Sequence, residues 1–348
     1  MERDATRSGL SFAGPDDGPA IAELLAEPLP GAIGLVLGER AHLLAPHINA
    51  HCRHQAMILR DSQGRVQAHG ARTVRRLLIN GQPQWVGYLH GLRQRAGILT
   101  SDGRRLGRGL SRLCQARAAD EADHDFTSIL ATNARAQRVL GGRIPGAPPY
   151  RWLADYRTTI IDRRHARRWH GRGVQVTAAR SSDLPQLSHW RMAHAAAYSP
   201  AWDDETAGWW LAWRERQLVG ALRIIDRRGE RCERLSYSRR VTRWRPLLNP
   251  LLRLARRLPL PADGGALDAI YAAGLSVPGD DPRALRALLG TVAREYNAAA
   301  IILGLGRNHA LSPVVDALPA WRIDSLLFRV GGIAQEPDPS ASPEAAWL

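Results

Sequence analysis

The 348-residue sequence contains no lysine; all 48 of its side chains that carry a fixed positive charge are arginines. That absence excludes the phosphate-gripping lysine of a Walker-type loop and any lysine Schiff base. Cysteine is scarce as well. Cys52, Cys114 and Cys232 lie far apart and are odd in number, which gives neither a disulfide framework nor a C-x-x-C metal knuckle. No apolar run approaches the roughly 20 residues of a membrane-spanning helix. The opening MERDATRSGLSFAG also lacks the apolar core of a signal peptide. These absences together give the expectation of a cytoplasmic chain without a transmembrane segment.

What is present is a globular composition, 45% hydrophobic and 23% charged, in a chain long enough for two cores. The formal charge of +15 points toward polyanionic partners. Arginine throughout, with abundant alanine, glycine and proline, is equally the imprint of a GC-rich coding background. Global charge is therefore discounted, and nucleic acid is not the expected partner.

Local patterns supply an order of elements. Asp16 and Asp17 precede helical spacing in DDGPAIAELLAE, and a second helix is expected over GERAHLLAPHINAHCRH. The turns Asp61-Ser62-Gln63-Gly64 and Asn80-Gly81 each join two strand-like runs, so residues 55 to 93 read as an antiparallel meander. Leu106, Leu110, Leu113 and Cys114 then share one helix face. DFTSILAT, NARAQRVL and YRTTIID continue as strand, helix and strand. After the basic connector RRHARRWHGRG the order restarts, which suggests a diverged internal repeat. The expected units are 1–165 and 174–332, followed by a Pro-, Ser- and Glu-rich tail, 333–348, expected to be disordered.

The stretch GRRLGRG at 103–109 carries the first chemical signal. A helix N-terminus offers free N–H groups and the positive end of a dipole, and glycines let a phosphate approach. Arg104, Arg105, Leu106, Gly107, Arg108 and Gly109 fit R-x-x-G-x-G ahead of the leucine-spaced helix. A basic surface turn would read the same way. Tyr88 and His90, two residues apart, share one face of the strand that enters this region, and an imidazole suits a general base. A packed strand histidine is the other reading.

In this order of elements the chain resembles the GNAT acyltransferase superfamily over about residues 8 to 162. The resemblance implies an α/β fold with a mixed sheet: two GNAT-like domains in tandem, each a mostly antiparallel sheet flanked by helices. It implies an acetyl-CoA or longer acyl-CoA co-substrate, no metal, and an amine acceptor, either a small molecule or a peptide, with an acyl carrier protein as the alternative donor. By resemblance, Arg104, Arg105, Gly107, Arg108 and Gly109 would hold the pyrophosphate. Leu92 and Arg93 would pair with the pantetheine arm, and Asn133 and Ala136 of NARA would open the helix beside it. The lead-in QRAGILTSD is longer than the family's usual loop, and the register through Gln94 and Gly97 places Leu99 where a small residue belongs. Leu140 stands where the family often has a tyrosine acid.

Other features are read more plainly. His42, His47, His51, Cys52 and His54 cluster in sequence, but no HExxH glutamate accompanies them, so no metal is expected. Asp280 and Asp281 stand where the second unit would need a phosphate cradle, and carboxylates there would repel one; the second unit is expected not to bind CoA. Trp209 and Trp213, one helical turn apart, are expected in packing. RRVTRWRPLLNPLLRLARRLP is either a lipid- or RNA-touching segment or a linker helix with its leucines packed, and the linker is the expectation.

Overall fold

The structure, a computed structural model, describes residues 9–27, 33–49, 51–79, 81–95, 101–141, 147–194, 196, 198–201, 206–278, 281–332 and 341–348. Its first half begins with β1 (Leu10–Phe12), a 3-10 turn at Pro15–Asp17 and α1 (Gly18–Leu25). Asp17 accepts from the Gly14 N–H and pairs with Arg60, which fixes the helix entry. Ile21 and Leu24 bury against Ala56, Ile58 and Ala71 of the sheet.

The next helix is shorter than its sequence suggests. After β2 (Ile33–Glu39), α2 (Ala41–Leu44) makes a single turn. Pro46 then bars continuation, and the histidine-rich stretch enters β3 (His47–Ile48) and β4 (Cys52–Arg60) instead. The two expected hairpins form. β4 pairs with β5 (Val66–Ile79) around Asp61, whose carboxylate accepts the Gln63 and Arg65 N–H groups. β5 pairs with β6 (Gln82–Gln94) around Gly81, at φ +73°. Next come α3 (Ser101–Gln115), β7 (Glu121–Leu130), α4 (Ala134–Gly141), β8 (Tyr150–Asp162) and α5 (Arg163–Ala166). Leu110 and Leu113 of α3 are buried, as their spacing requires.

The second half runs β9 (Gln175–Ala178), α6 (Leu184–His194), β10 (Trp209–Arg214), β11 (Gln217–Ile225), β12 (Arg231–Tyr237), α7 (Arg239–Leu254) and β13 (Gly265–Ala266). It ends with β14 (Ala269–Ser276), α8 (Pro282–Glu295), β15 (Ala300–Gly306), α9 (Ser312–Asp316) and β16 (Ala320–Val330). Two features depart from the sequence pattern here. Trp209 and Trp213 pack in one cluster as expected, but on a strand rather than a helix, four residues apart and so on one face; Trp209 is fully buried against the α6 side. β11 pairs with β10, while β12 leaves the main sheet to pair with β2 of the first half. Leu247, Leu248, Leu251 and Leu254 of α7 are exposed rather than packed.

Among the described residues one sheet runs through both halves in the order β1-β4-β5-β6-β7-β16-β8-β15-β14-β11-β10-β9, with β3 beside β4. The sheet is antiparallel except at two places, β6 with β7 and β14 with β15. The halves match element for element: β6, α3, β7, α4 and β8 correspond in order to β14, α8, β15, α9 and β16. At the centre they exchange strands. β16 of the second half lies between β7 and β8 of the first, and β8 lies between β16 and β15.

The tail is also corrected. Residues 341–348 are described and 341–346 are buried, with Ala341 against Tyr88 and Tyr156 and with Ala345 and Ala346 against Tyr271 and Ile302. Residues 333–340 lie outside the described residues. Small alanine side chains let the segment settle on the sheet despite its polar composition. No helix among the described residues is long and apolar enough to cross a membrane.

Candidate active site

Two parallel strands diverge near the middle of the first half. β6 and β7 pair up to Leu89↔Thr127 and no further, although both strands continue, to Gln94 and Leu130. The cause is a bulge. The β5–β6 register shifts between His69 and Ala71, and Gly91 takes φ +62°, a backbone that side-chain-bearing residues avoid. His69 Nδ1 lies 2.8 Å from the Gly91 carbonyl and holds the bulge. Thr127 Oγ1 donates to the Leu89 carbonyl at 2.7 Å, where the strands part. Beyond that point the β7-facing edge of β6, with Leu92 and Arg93, has no ladder partner from β7.

Below the opening, a buried ion-pair network holds the strands together. The Arg72 guanidinium, 1% exposed, contacts Asp125 Oδ1 at 2.8 Å and Glu121 Oε2 at 2.6 Å. Gly87 leaves room for it, since a Cβ there would stand 2.1 Å from Asp125 Oδ1.

On the face covered by α1, cross-strand register aligns His47, His54, Thr73, Tyr88 and Phe126 in one row. His90 sits one strand repeat beyond Tyr88 and stacks on it, ring centroids 5.2 Å apart and 7° between planes. Thr73 Oγ1 is 2.8 Å from both His54 Nδ1 and His90 Nε2. A hydroxyl has one proton, so at least one ring donates to it. Burial pushes His54 down to about 3, which makes it a neutral partner across the ordinary pH range. His90 is half-buried, and the Tyr88 hydroxyl is 2.8 Å from Ser128 Oγ.

The matching place in the second half is built differently. β14 and β15 pair only to Ala272↔Leu303, and Gly274, at φ +57°, makes the matching bulge. Here the tail fills the gap: the Gly274 N–H donates to Glu344 Oε1 at 2.7 Å and the Gly306 N–H to Ser342 Oγ at 3.0 Å. The Tyr156 hydroxyl donates to the Pro343 carbonyl. Burial raises Glu344 to about 8. At the start of α8, Asp281 accepts the Arg283 and Ala284 N–H groups and pairs with Arg214, so the second half's helix N-terminus holds its own carboxylate.

No protein-family model matches the sequence, and no curated protein does. Solved structures match at low identity. The N-myristoyltransferase of Saccharomyces cerevisiae with bound myristoyl-CoA is 8% identical, with 98% of this chain and 89% of that one covered, at a TM-score of 0.52. A GCN5-related N-acetyltransferase from Kribbella flavida is 10% identical over 94% and 72%, at 0.45. A protein of unknown function from Enterococcus faecalis V583, described as a probable N-acyltransferase, is 8% identical over 92% and 72%, at 0.46. The chain has the GNAT fold. At these identities the likeness is one of architecture.

Within the GNAT fold the expected residues separate into three groups. Tyr88 and His90 stand together at the divergence, with Leu92 and Arg93 on the strand end just past it. Asn133 opens α4: its Oδ1 accepts the Ala136 N–H at 3.0 Å, so this side chain caps its own helix. Ala136 packs beside Leu140, which is buried against Leu110 and Ile129. Arg104, Arg105, Gly107, Arg108 and Gly109 are displaced from expectation, because α3 begins at Ser101 and places them inside the helix rather than in a loop before it. Gly109 there admits Leu10 of β1, whose Cδ1 would stand 3.1 Å from an added Cβ. The loop positions of the other register, Gly97 among them, lie outside the described residues.

Among the described residues no three His, Cys, Asp or Glu side chains converge. His47 Nε2 lies 3.6 Å from Cys52 Sγ. Sequence reading missed Thr73, Ser128 and the role of His54. Counting outward from the two hairpin turns brings His54, Thr73 and Tyr88 near one another, but the bulge between Leu59 and Arg60 shifts the count by one.

Proposed function

We propose that the chain is an acyltransferase that moves an acyl group from acyl-CoA to an amine acceptor at the β6–β7 divergence. The observation that carries this reading is His90, tied through Nε2 to Thr73, beside a strand edge that a bulge has left without its neighbour. The solved N-myristoyltransferase of like fold holds myristoyl-CoA. Acyl-CoA would supply an activated thioester, and the residues here fit it: the unpaired edge at Leu92 and Arg93 suits the amides of a pantetheine arm. Arg108, exposed on α3, suits phosphate oxygens.

The chemistry required of the protein is proton removal and charge stabilisation. An acceptor ammonium must lose a proton before its nitrogen can attack, and a neutral imidazole performs this near pH 7. If His90 Nε2–H donates to Thr73, the lone pair stays on Nδ1; the Thr73 hydroxyl can then donate to neutral His54. Backbone N–H groups at the opened strand edge would stabilise the developing oxyanion. Burial of Arg93 disfavours its charged form, opposed by the Glu27 charge, so an anionic ligand beside it would gain from the pairing.

The test is calorimetric titration with acetyl-CoA and longer acyl-CoAs, followed by release of free thiol in the presence of amine panels. An acyl carrier protein serves as the alternative donor, suited to arginines by its acidic helices. Absence of binding to any of these donors, together with thiol release unchanged by His90→Ala, overturns the reading.

A further inference from the structure

One helix remains unexplained by the site. α7 occupies the connection between β11 and β14, where the first half has only the Gly81 turn between β5 and β6. None of its side chains is buried. Trp244, Leu247, Leu248, Leu251 and Leu254 follow helical spacing, and Leu247 and Leu251 are each 62% exposed. An apolar stripe of this size on a folded surface marks a place where something else sits.

The helix is also fixed in orientation. The Asn249 side chain donates to the Leu260 carbonyl at 3.1 Å and accepts the Leu260 N–H at 2.8 Å, which ties one side of α7 to the returning chain. At 100° per residue Asn249 lies about 140° around the helix from Trp244. The anchored side and the apolar stripe are therefore nearly opposite. Beside the stripe is a groove of about 420 Å³, lined by Leu248, Leu251 and Leu252 on one wall and by Leu318 and Pro319 on the other.

Charge identifies the occupant. Residues 239–257 hold seven arginines, Arg239, Arg240, Arg243, Arg245, Arg253, Arg256 and Arg257, and no aspartate or glutamate. Five of them lie in α7, and on the helical wheel Arg239, Arg243, Arg245 and Arg253 flank or oppose the stripe. A polyphosphate alone would satisfy the arginines and leave five large apolar side chains in water. A bilayer with anionic headgroups satisfies both, because the stripe enters the acyl boundary while the arginines reach the phosphates.

We propose that α7 docks the protein on an anionic membrane surface, lying in its plane with the Trp244–Leu254 stripe buried. This inference is independent of the acyl-transfer reading, since it uses no residue of that site.

The experiment is flotation of the full chain with phosphatidylcholine vesicles, with and without phosphatidylglycerol, across a salt series. The protein should float with the anionic vesicles only. Leu247→Gln combined with Leu251→Gln, at exposed positions where folding is not disturbed, should weaken binding by at least about tenfold. Arg243→Gln with Arg253→Gln should weaken it and flatten its salt dependence. Absence of flotation at low salt overturns the proposal. So does anionic binding unaffected by the leucine pair, or a preference for duplex or single-stranded RNA over vesicles at equal salt.

Discussion

The sequences Tyr88-Leu89-His90-Gly91 and Tyr271-Ala272-Ala273-Gly274 occupy the same place in the two halves, and they end differently. Each leads through a bulged glycine to a pair of parallel strands that separate two residues before it. In the first half the strand edge continues past His90 without its neighbour. In the second, Ala273 replaces the histidine, and Glu344 and Ser342 take the backbone N–H groups exposed by the separation. Parting two strands creates unsatisfied amides wherever it occurs. Among the described residues the β7 ladder of one half simply ends there, while the other half satisfies such groups with the chain itself.

The largest effect should come from making the first half like the second. His90→Ala is expected to lower kcat by about 10²–10⁴-fold with little change in KM for the acyl donor, followed by thiol release. Ala273→His should add no activity, since the tail still fills that opening. Next in size is Arg72→Met, which leaves Asp125 and Glu121 buried without their cation. A loss of about 3–5 kcal/mol is expected in denaturant unfolding, enough to disorganise the first opening.

Titration distinguishes the halves by sign. His54 is neutral when folded and takes up a proton near 6.5 when unfolded, so below that pH the unfolded state binds more protons. Stability should fall by up to about 1.4 kcal/mol per pH unit as pH drops from 6.5 toward 3. Glu344, with its folded value raised to about 8, retains a proton that the unfolded chain releases near 4.5. Its contribution is complete below 4.5 and is lost as pH rises toward 8. Protection of the Gly274 N–H, taken as exchange relative to the intrinsic rate at each pH, should therefore fall on the alkaline side, and Glu344→Gln should remove that fall. The smallest change is Thr73→Val, which removes the hydroxyl between two imidazoles. It should cost about 0.5–1.5 kcal/mol, read as a several-fold drop in kcat and a displaced acid limb in the pH profile.

Much of this comparison was legible in the sequence. Asp61-Ser62-Gln63-Gly64 and Asn80-Gly81 announced their hairpins because turn chemistry is local, and Leu110 and Leu113 announced the buried face of α3. The start of α3 was not legible. Ser101 and Asp102 are good helix openers, yet the glycines at 107 and 109 drew the boundary toward themselves, and Gly109 instead serves packing on Leu10. The histidine stretch was expected in a helix, whereas His47 and His54 meet across a strand pair. The tail misled by composition: Pro, Ser and Glu suggest solvent, and only the shape of a distant opening shows that Ser342 and Glu344 have partners waiting. The pairing of β8 with β15 and β16 spans long sequence separations that no local pattern encodes.

The exchange of β8 and β16 also bears on how the molecule can be divided. A chain cut in the connector near residue 170 would leave the first fragment without the strand that separates β7 from β8, and the second without the one that separates β15 from β16. Each fragment would expose open ladder edges where the other's strand belongs, the configuration that favours aggregation or recombination over independent folding. Co-expressed fragments should reassemble as a complementing pair, and the intact chain should unfold in one transition.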